Sequence, residues 1–236
     1  MIRTKQLHFS VILPFFILFL SSCNQDFKRN DYTAYFGGEV VNPTSPFVLF
    51  CKDSKVIDTI MIGKDNRFFI QFDSLTPGMY TFKNEPQYQY VYFDKNDSLM
   101  VHINSKNFDD SVIFCGRGDE KNNFLMELYL KNENDKKNIF DVFDYDVKKF
   151  NKNIDSSYAS AKKLYQTKKE KIKWSEEFDV YAKGALDFHY YSKKELYPMV
   201  HKMRTGNNIF DELPKDYYSY RKDIDFNNKE LTDYSP

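Results

Sequence analysis

Between Phe36 and Phe114 apolar and polar residues alternate with a period of two. Turn-forming residues break the pattern at intervals of roughly 8–12 residues, the grammar of an antiparallel sandwich or barrel. Phe47/Leu49, Phe68/Ile70/Phe72, Tyr80/Phe82 and Leu99/Val101/Ile103 each place apolar side chains on one strand face. The breaks fall at Asn42-Pro43, Asp53-Ser54, Asp65-Asn66, Pro77-Gly78, Glu85-Pro86 and Asn96-Asp97. Asp65-Asn66, between Ile62 and Phe68, predicts a tight hairpin, because both residues tolerate positive φ.

After Gly116-Arg117-Gly118 the period lengthens, and Phe124, Leu125, Leu128 and Tyr129 form a helical stripe that starts near Lys121. Ile139 to Phe150 carries Phe140, Phe143 and Val147; Asp155 to about Leu196 contains no proline and only Gly184. Two or three helices are expected there, ending before Pro198, since the residue preceding a proline disfavours the helical region. Thr205-Gly206-Asn207-Asn208 reads as a loop. The expected fold class is α+β: an antiparallel β-sandwich of about eight strands over 36–115, a helical region over 116–204 and an irregular tail over 205–236.

The amino terminus has a different pattern. Arg3 and Lys5 precede an apolar run from Val11 to Leu20, which contains Pro14 and closes with Leu20-Ser21-Ser22-Cys23. This order reads as a secretory signal over 1–22, its apolar core too short for the ~20 residues of a spanning helix. The small residues before Cys23 resemble the lipobox of bacterial lipoproteins. That resemblance implies cleavage before Cys23 and acylation of its thiol and new amino group, with residues 23–35 as lipidated terminus and tether. Several acyl chains at about 0.8 kcal/mol per buried methylene suffice for stable anchoring, so Cys23 is an anchor rather than a nucleophile and the membrane is the first partner expected. Asn24 in place of Asp favours, by the same resemblance, the outer membrane over the inner.

Composition narrows the choice of partners. Lys+Arg and Asp+Glu both number 34, so no net basic field draws the chain to a polyanion, and nucleic acid is not an expected partner. Removal of Arg3 and Lys5 with the signal leaves a slightly acidic chain. Phe, Tyr and Trp make 18% of the residues, and such a chain folds rather than staying disordered.

Candidate chemistry is sparse. Cys51 and Cys115 lie too far apart in sequence for a redox motif; an oxidising envelope leaves a structural disulfide between them open, and both also fit half-buried strand ends with free thiols. His102, His189 and His201 lack the close spacing of a zinc site, and Asp141, Asp144 and Asp146 lack the glycine and distal Glu of a calcium loop. Gly116-Arg117-Gly118 lacks the third glycine and the Gly-Lys-Ser ending of a phosphate loop, and Arg117-Gly118-Asp119 is too short a match to count as an adhesion motif. Lys162-Lys163, Lys168-Lys169 and Lys171 to Lys173 alternate with Glu170, Glu176 and Glu177, as on an ion-paired helix face. No metal and no cofactor is expected. Tyr88, Tyr90 and Tyr92 alternate on one strand face. They would serve as a binding face if exposed and as packing if the helices cover them.

Four local features resemble the N-terminal region of TlpA-like thioredoxin-family envelope lipoproteins. They are Asp65-Asn66-Arg67-Phe68, Thr76-Pro77-Gly78-Met79-Tyr80, Asn96-Asp97-Ser98-Leu99 with Asn where the family has glycine, and Phe114 to Gly118 followed by Asn122-Asn123. Asp223 to Pro236 is similar to the Asp-x-x-Asn and Leu-x-x-Tyr-Ser stretch that precedes the family's thioredoxin domain. The family's Trp-Cys-x-x-Cys motif is absent, and Trp174 has no cysteine beside it; no catalytic role is carried over. The chain reaches Pro236 where a relative would continue, which suggests a truncated relative or one part of a split gene. The resemblance implies a non-catalytic accessory or binding module with a thioredoxin-like envelope protein as partner. The alternative is a structural lipoprotein that binds glycan or another envelope component through the tyrosine face.

Overall fold

The computed structural model describes residues 32–136, 139–225, 227–232 and 234. The signal sequence, Cys23 and most of the expected tether lie outside them. The described residues form an α+β fold of two four-stranded sheets and five helices, the sheets stacked as an open sandwich. The strands are β1 (Ala34–Val41), β2 (Phe47–Lys52), β3 (Lys55–Met61), β4 (Arg67–Phe72), β5 (Gly78–Asn84), β6 (Gln87–Phe93), β7 (Ser98–Asn104) and β8 (Ile113–Arg117). One sheet has the order β4-β1-β7-β8 and the other β3-β2-β5-β6. The helices are α1 (Phe108–Ser111), α2 (Asp119–Lys136), α3 (Ile139–Phe143), α4 (Val147–Ile172) and α5 (Glu176–Thr205).

Asp53 and Ser54, with φ of 47° and 62°, make the tight turn between the paired strands β2 and β3. Asp65-Asn66 does something else. Its turn is tight, with Asn66 at φ 64°, but it carries the chain from one sheet to the other rather than closing a hairpin. The Asn66 carbonyl accepts from Val40 N–H at 2.9 Å and so seats β4 against β1. Local turn chemistry specifies a reversal, whereas the pairing partner is chosen by which sheet buries the following strand. The parallel pairing of β1 with β7 is likewise non-local, and the other pairings are antiparallel.

The sandwich core centres on Phe36, whose ring lies 5.3–5.8 Å from those of Phe50, Phe68, Phe82 and Phe93. Strand β2 buries Val48 and Phe50 there, not Phe47 and Leu49. Every residue from Phe47 to Cys51 is apolar, so alternation alone does not say which face is inside. The close approach of β1 to β7 requires Gly38, since a Cβ there would stand 2.0 Å from the Val101 carbonyl oxygen.

A second core fills the space between the outer face of the β6-containing sheet and α2, α4 and α5, built on Tyr92, Phe124, Trp174 and Phe178. Its polar centre is Asp179, 1% exposed. One carboxylate oxygen accepts from Tyr165 Oη (2.6 Å) and Trp174 Nε1 (2.8 Å), and the other from Lys169 and Lys183 Nζ (both 2.8 Å). Burial alone would raise this carboxyl's pKa, but the donors from Lys169, Lys183, Tyr165 and Trp174 outweigh it and hold the group well below the usual carboxylate range. Asp179 thereby ties the end of α4 to the start of α5 across the turn at Lys173, φ 54°.

Helix α5 does not end before Pro198; it runs through it to Thr205, where Gly206 at φ 79° caps it. A proline removes the hydrogen bond to the carbonyl four residues back, here that of Lys194. Tyr217, 3% exposed, donates its hydroxyl to that carbonyl at 3.0 Å, so the missing bond is replaced from the tail. The Tyr217→Phe substitution is therefore expected to cost about 1–3 kcal/mol by orphaning a carbonyl. In a Pro198→Ala background, where the restored N–H serves Lys194, the cost should fall towards zero. Urea denaturation of the four chains measures this coupling; equal costs in both backgrounds would exclude it.

The tail after Thr205 consists of short 3₁₀ turns that pack back on the helices. Ile209 and Tyr217 join Phe150 and Tyr197 in a third core, and Leu231 and Tyr234 join the second. Gly184 of α5 makes room for them: a Cβ there would lie 3.2 Å from Leu231 Cδ2 and 3.6 Å from Tyr234 Cε1.

Candidate functional site: a tyrosine wall between two clefts

Strand alternation sends Val91 and Phe93 into the sandwich core and Tyr88, Tyr90 and Tyr92 to the opposite face. The three tyrosines share a face but not an environment. Tyr92 is fully buried, its ring 5.0 Å from Phe178 and 5.6 Å from Tyr181. Tyr90 is half-buried under Tyr234, ring centres 5.0 Å apart, and Tyr88, edge-on to Tyr90 at 6.2 Å, is 54% exposed. Packing and binding thus divide the row: α5 takes one end, the tail covers the middle, and the other end stays open.

Tyr88, Tyr90 and Tyr234 form a wall with a cleft on each side. The first, about 230 Å³, runs between β6 and the helices and is lined by Gln87, Gln89, Leu125, Tyr129, Asn132 and His189, with Asp109 of α1 at its rim. The Tyr129 hydroxyl donates to Asp109 Oδ2 at 3.3 Å. The second, about 270 Å³, lies over β2 and β5 and is lined by Cys51, Lys52, Asp53, Thr81, Lys83, Tyr181 and Glu230. Below the sheet Tyr80 points into the sandwich core and donates its hydroxyl to the Thr76 carbonyl at 2.6 Å, and burial, helped by Asp53, pushes that hydroxyl up to about 12. Burial also raises the pKa values of Tyr181 and Tyr234, which line the cleft and stay protonated at neutral pH.

The first cleft lies beside α2, which is clamped at its start to the sheet edges and continues along the sandwich through Met126 and Tyr129. Asn122 accepts from Tyr92 N–H through Oδ1 (2.7 Å) and donates to the Tyr92 carbonyl through Nδ2 (2.9 Å), as a neighbouring strand would. Asn123 does the same for Phe114 on β8, at 2.9 and 2.8 Å. Because β6 and β8 are the edges of the two sheets, this Asn pair covers one edge of each. The turn into α2 is equally specific. Gly116 and Gly118 have φ of 105° and 99°, and a Cβ on Gly118 would meet the Asp97 carboxylate at 2.4 Å. Asp97 accepts from Asp94 N–H (2.7 Å) and Lys121 Nζ (3.1 Å). Burial raises its pKa more than Lys121 and the Asp94 amide lower it. Asn96 takes the left-handed conformation, φ 59°, at the position where the glycine of the resembling motif stands.

The other singled-out residues fall into structural roles. Cys51 and Cys115 sit on different sheets as free thiols, one buried and one exposed, and burial raises the Cys51 thiol's pKa, which lowers its reactivity. His102 stands 3.5 Å from Glu39, while His201 is buried with Nδ1 2.7 Å from the Phe143 carbonyl. Among the described residues no cluster of three or more His, Cys, Asp or Glu is placed to hold a metal. Asp146 caps α4 by accepting from Lys149 N–H, and Asp144 takes a two-pronged bond from Arg204 at 2.6 and 2.7 Å. In the lysine-rich stretch Lys169 pairs with Asp179, and Lys168 and Lys171 pair with Glu127 and Glu120 of α2. Among the described residues no helix is long and apolar enough to cross a membrane.

Sequence reasoning located β6 but missed Tyr234, Asp109 and the α2 side of the cleft, all of which reach it from distant positions. The one sequence signal for Tyr234 was the Leu-x-x-Tyr-Ser pattern, whose Leu231 and Tyr234 are the two residues that dock on Gly184. No family model, no curated protein and no solved structure matches this chain.

Proposed function

We propose that this chain is a lipid-anchored lipoprotein of the cell envelope, held at the outer membrane through acylated Cys23, and that its folded part is a non-catalytic accessory module that binds its ligand at the Tyr88–Tyr90–Tyr234 wall. The observation that carries the binding reading is the graded exposure of one aromatic row, sealed at Tyr92 and open at Tyr88, with a cleft on either side. The signal-like amino terminus ending in Cys23 supports the anchor, and the resemblance to TlpA-like lipoproteins supports a thioredoxin-like envelope protein as partner. A structural lipoprotein that binds glycan is the second reading, favoured by the open ring of Tyr88, a stacking surface for a sugar.

The test has two arms. Labelled palmitate should enter the full chain and not its Cys23→Ala variant, which should leave the membrane fraction; label retained by the variant would exclude the anchor. A photo-crosslinking residue at position 88 should yield a discrete adduct in the envelope, and one at the exposed Phe210 should not. Identical adducts from both positions would exclude the wall as a site.

A further inference from the structure

The cleft between β6 and α2 is bounded on one side by a strand edge. Tyr92 offers both its N–H and its C=O to the Asn122 side chain and so turns them away from β5. In an antiparallel ladder these directions alternate with period two. The registered positions Tyr90 and Tyr88, opposite Thr81 and Lys83, therefore also direct their backbone groups outward from β6. Asn122 covers the edge at Tyr92, and beside Tyr90 and Tyr88 the cleft lies between β6 and α2. At Tyr90 the amide N–H is met by the side chain of its neighbour, Gln89 Oε1 at 2.7 Å, a displaceable substitute for a strand partner.

We infer that this cleft is a peptide-binding slot, in which an extended segment of a partner protein carrying a basic side chain adds as a short strand to the β6 edge at Tyr88–Tyr90. Backbone complementarity comes from that edge, in the mode of strand addition to an exposed sheet edge. Charge complementarity comes from Asp109 of α1, the only formally charged residue among the described residues that line the cleft. At about 230 Å³ the cleft is smaller than the ~300–1,000 Å³ that engulf a compact small ligand, and a chain that lies along it needs only two or three residues inside. This inference rests on the reading of the wall as a binding site and names its ligand class.

The probe is a fluorescent, N-acetylated hexapeptide of alternating valine and threonine with one central lysine, titrated into the full chain in detergent. Two isomers, each N-methylated on one of the two alternating sets of amides, report on direction. Saturable binding is expected, with one isomer weakened about tenfold or more and the other little changed, because only one set of amides faces β6. Asp109→Asn should weaken the lysine peptide several-fold and leave a peptide with threonine in place of lysine unaffected. Equal behaviour of the two isomers, or no saturable peptide binding, overturns the inference. Chitotetraose binding lost in Tyr88→Ala, without peptide binding, overturns the peptide assignment while the wall remains a site; the crosslink from position 88 decides the wall independently.

Discussion

Replacement of Asp179 by alanine is expected to remove about 3–5 kcal/mol of folding free energy, the cost of deleting one partner from a buried ionic cluster. The carboxylate is the shared acceptor of Tyr165, Trp174, Lys169 and Lys183, so its loss strands a buried phenol and a buried indole N–H and unpairs two ammonium groups that solvent still reaches. Asp179→Asn keeps the shape and one acceptor and should cost less than alanine. The pH dependence has a definite sign. The folded pKa is depressed below the unfolded value, which is about 3.9, so the contribution is fully present above that value and is lost as pH falls through the folded pKa. The stability gap between the parent and Asp179→Asn should stay constant from neutral pH to about pH 5 and close below about pH 4. Urea denaturation followed by circular dichroism measures it, with the emission of Trp174, the single tryptophan, as a local reporter. A gap that widens towards acid would rule out an ionised Asp179 as the organiser of the α4–α5 turn.

The second large effect is expected at Asn122. Asn122→Leu keeps the branched outline of the side chain but leaves the Tyr92 N–H and C=O buried without partners, at about 1–3 kcal/mol for each group. Asn122→Ala should be milder if water enters the space, and Asn122→Asp should fall between them, keeping the acceptor and losing the donor. Asn122→Leu also uncovers the rest of the β6 edge and should promote self-association, visible as a concentration-dependent sedimentation coefficient. Asn123→Leu is the control at the other sheet, with a similar stability loss through Phe114 and no change at the tyrosine wall. If Asn122→Leu unfolds at the same urea concentration as the parent, the side chain is not acting as a strand.

The sequence-level expectations held where one short stretch contains all of the relevant physics. Alternation from Phe36 to Phe114 and the change of period after Gly118 are properties of consecutive residues, and they predicted two sheets of about eight strands followed by helices. They failed where a distant group decides. Pro198 marks a helix end in isolation, but Tyr217 supplies the donor that lets α5 pass it. Asp65-Asn66 makes a turn, but the partner of β4 is β1, chosen by burial and not by the turn.

The candidate site shows the same division. The positions of Tyr88, Tyr90 and Tyr92 on one face follow from the geometry of any strand, so the chain by itself determined the row. Which tyrosine is sealed and which stays open depends on Phe178, Tyr181 and Tyr234, brought there by the packing of α5 and the tail. Side-chain direction is a local consequence of backbone geometry, whereas exposure is a property of everything else that folds against it, and only the tertiary structure could decide it.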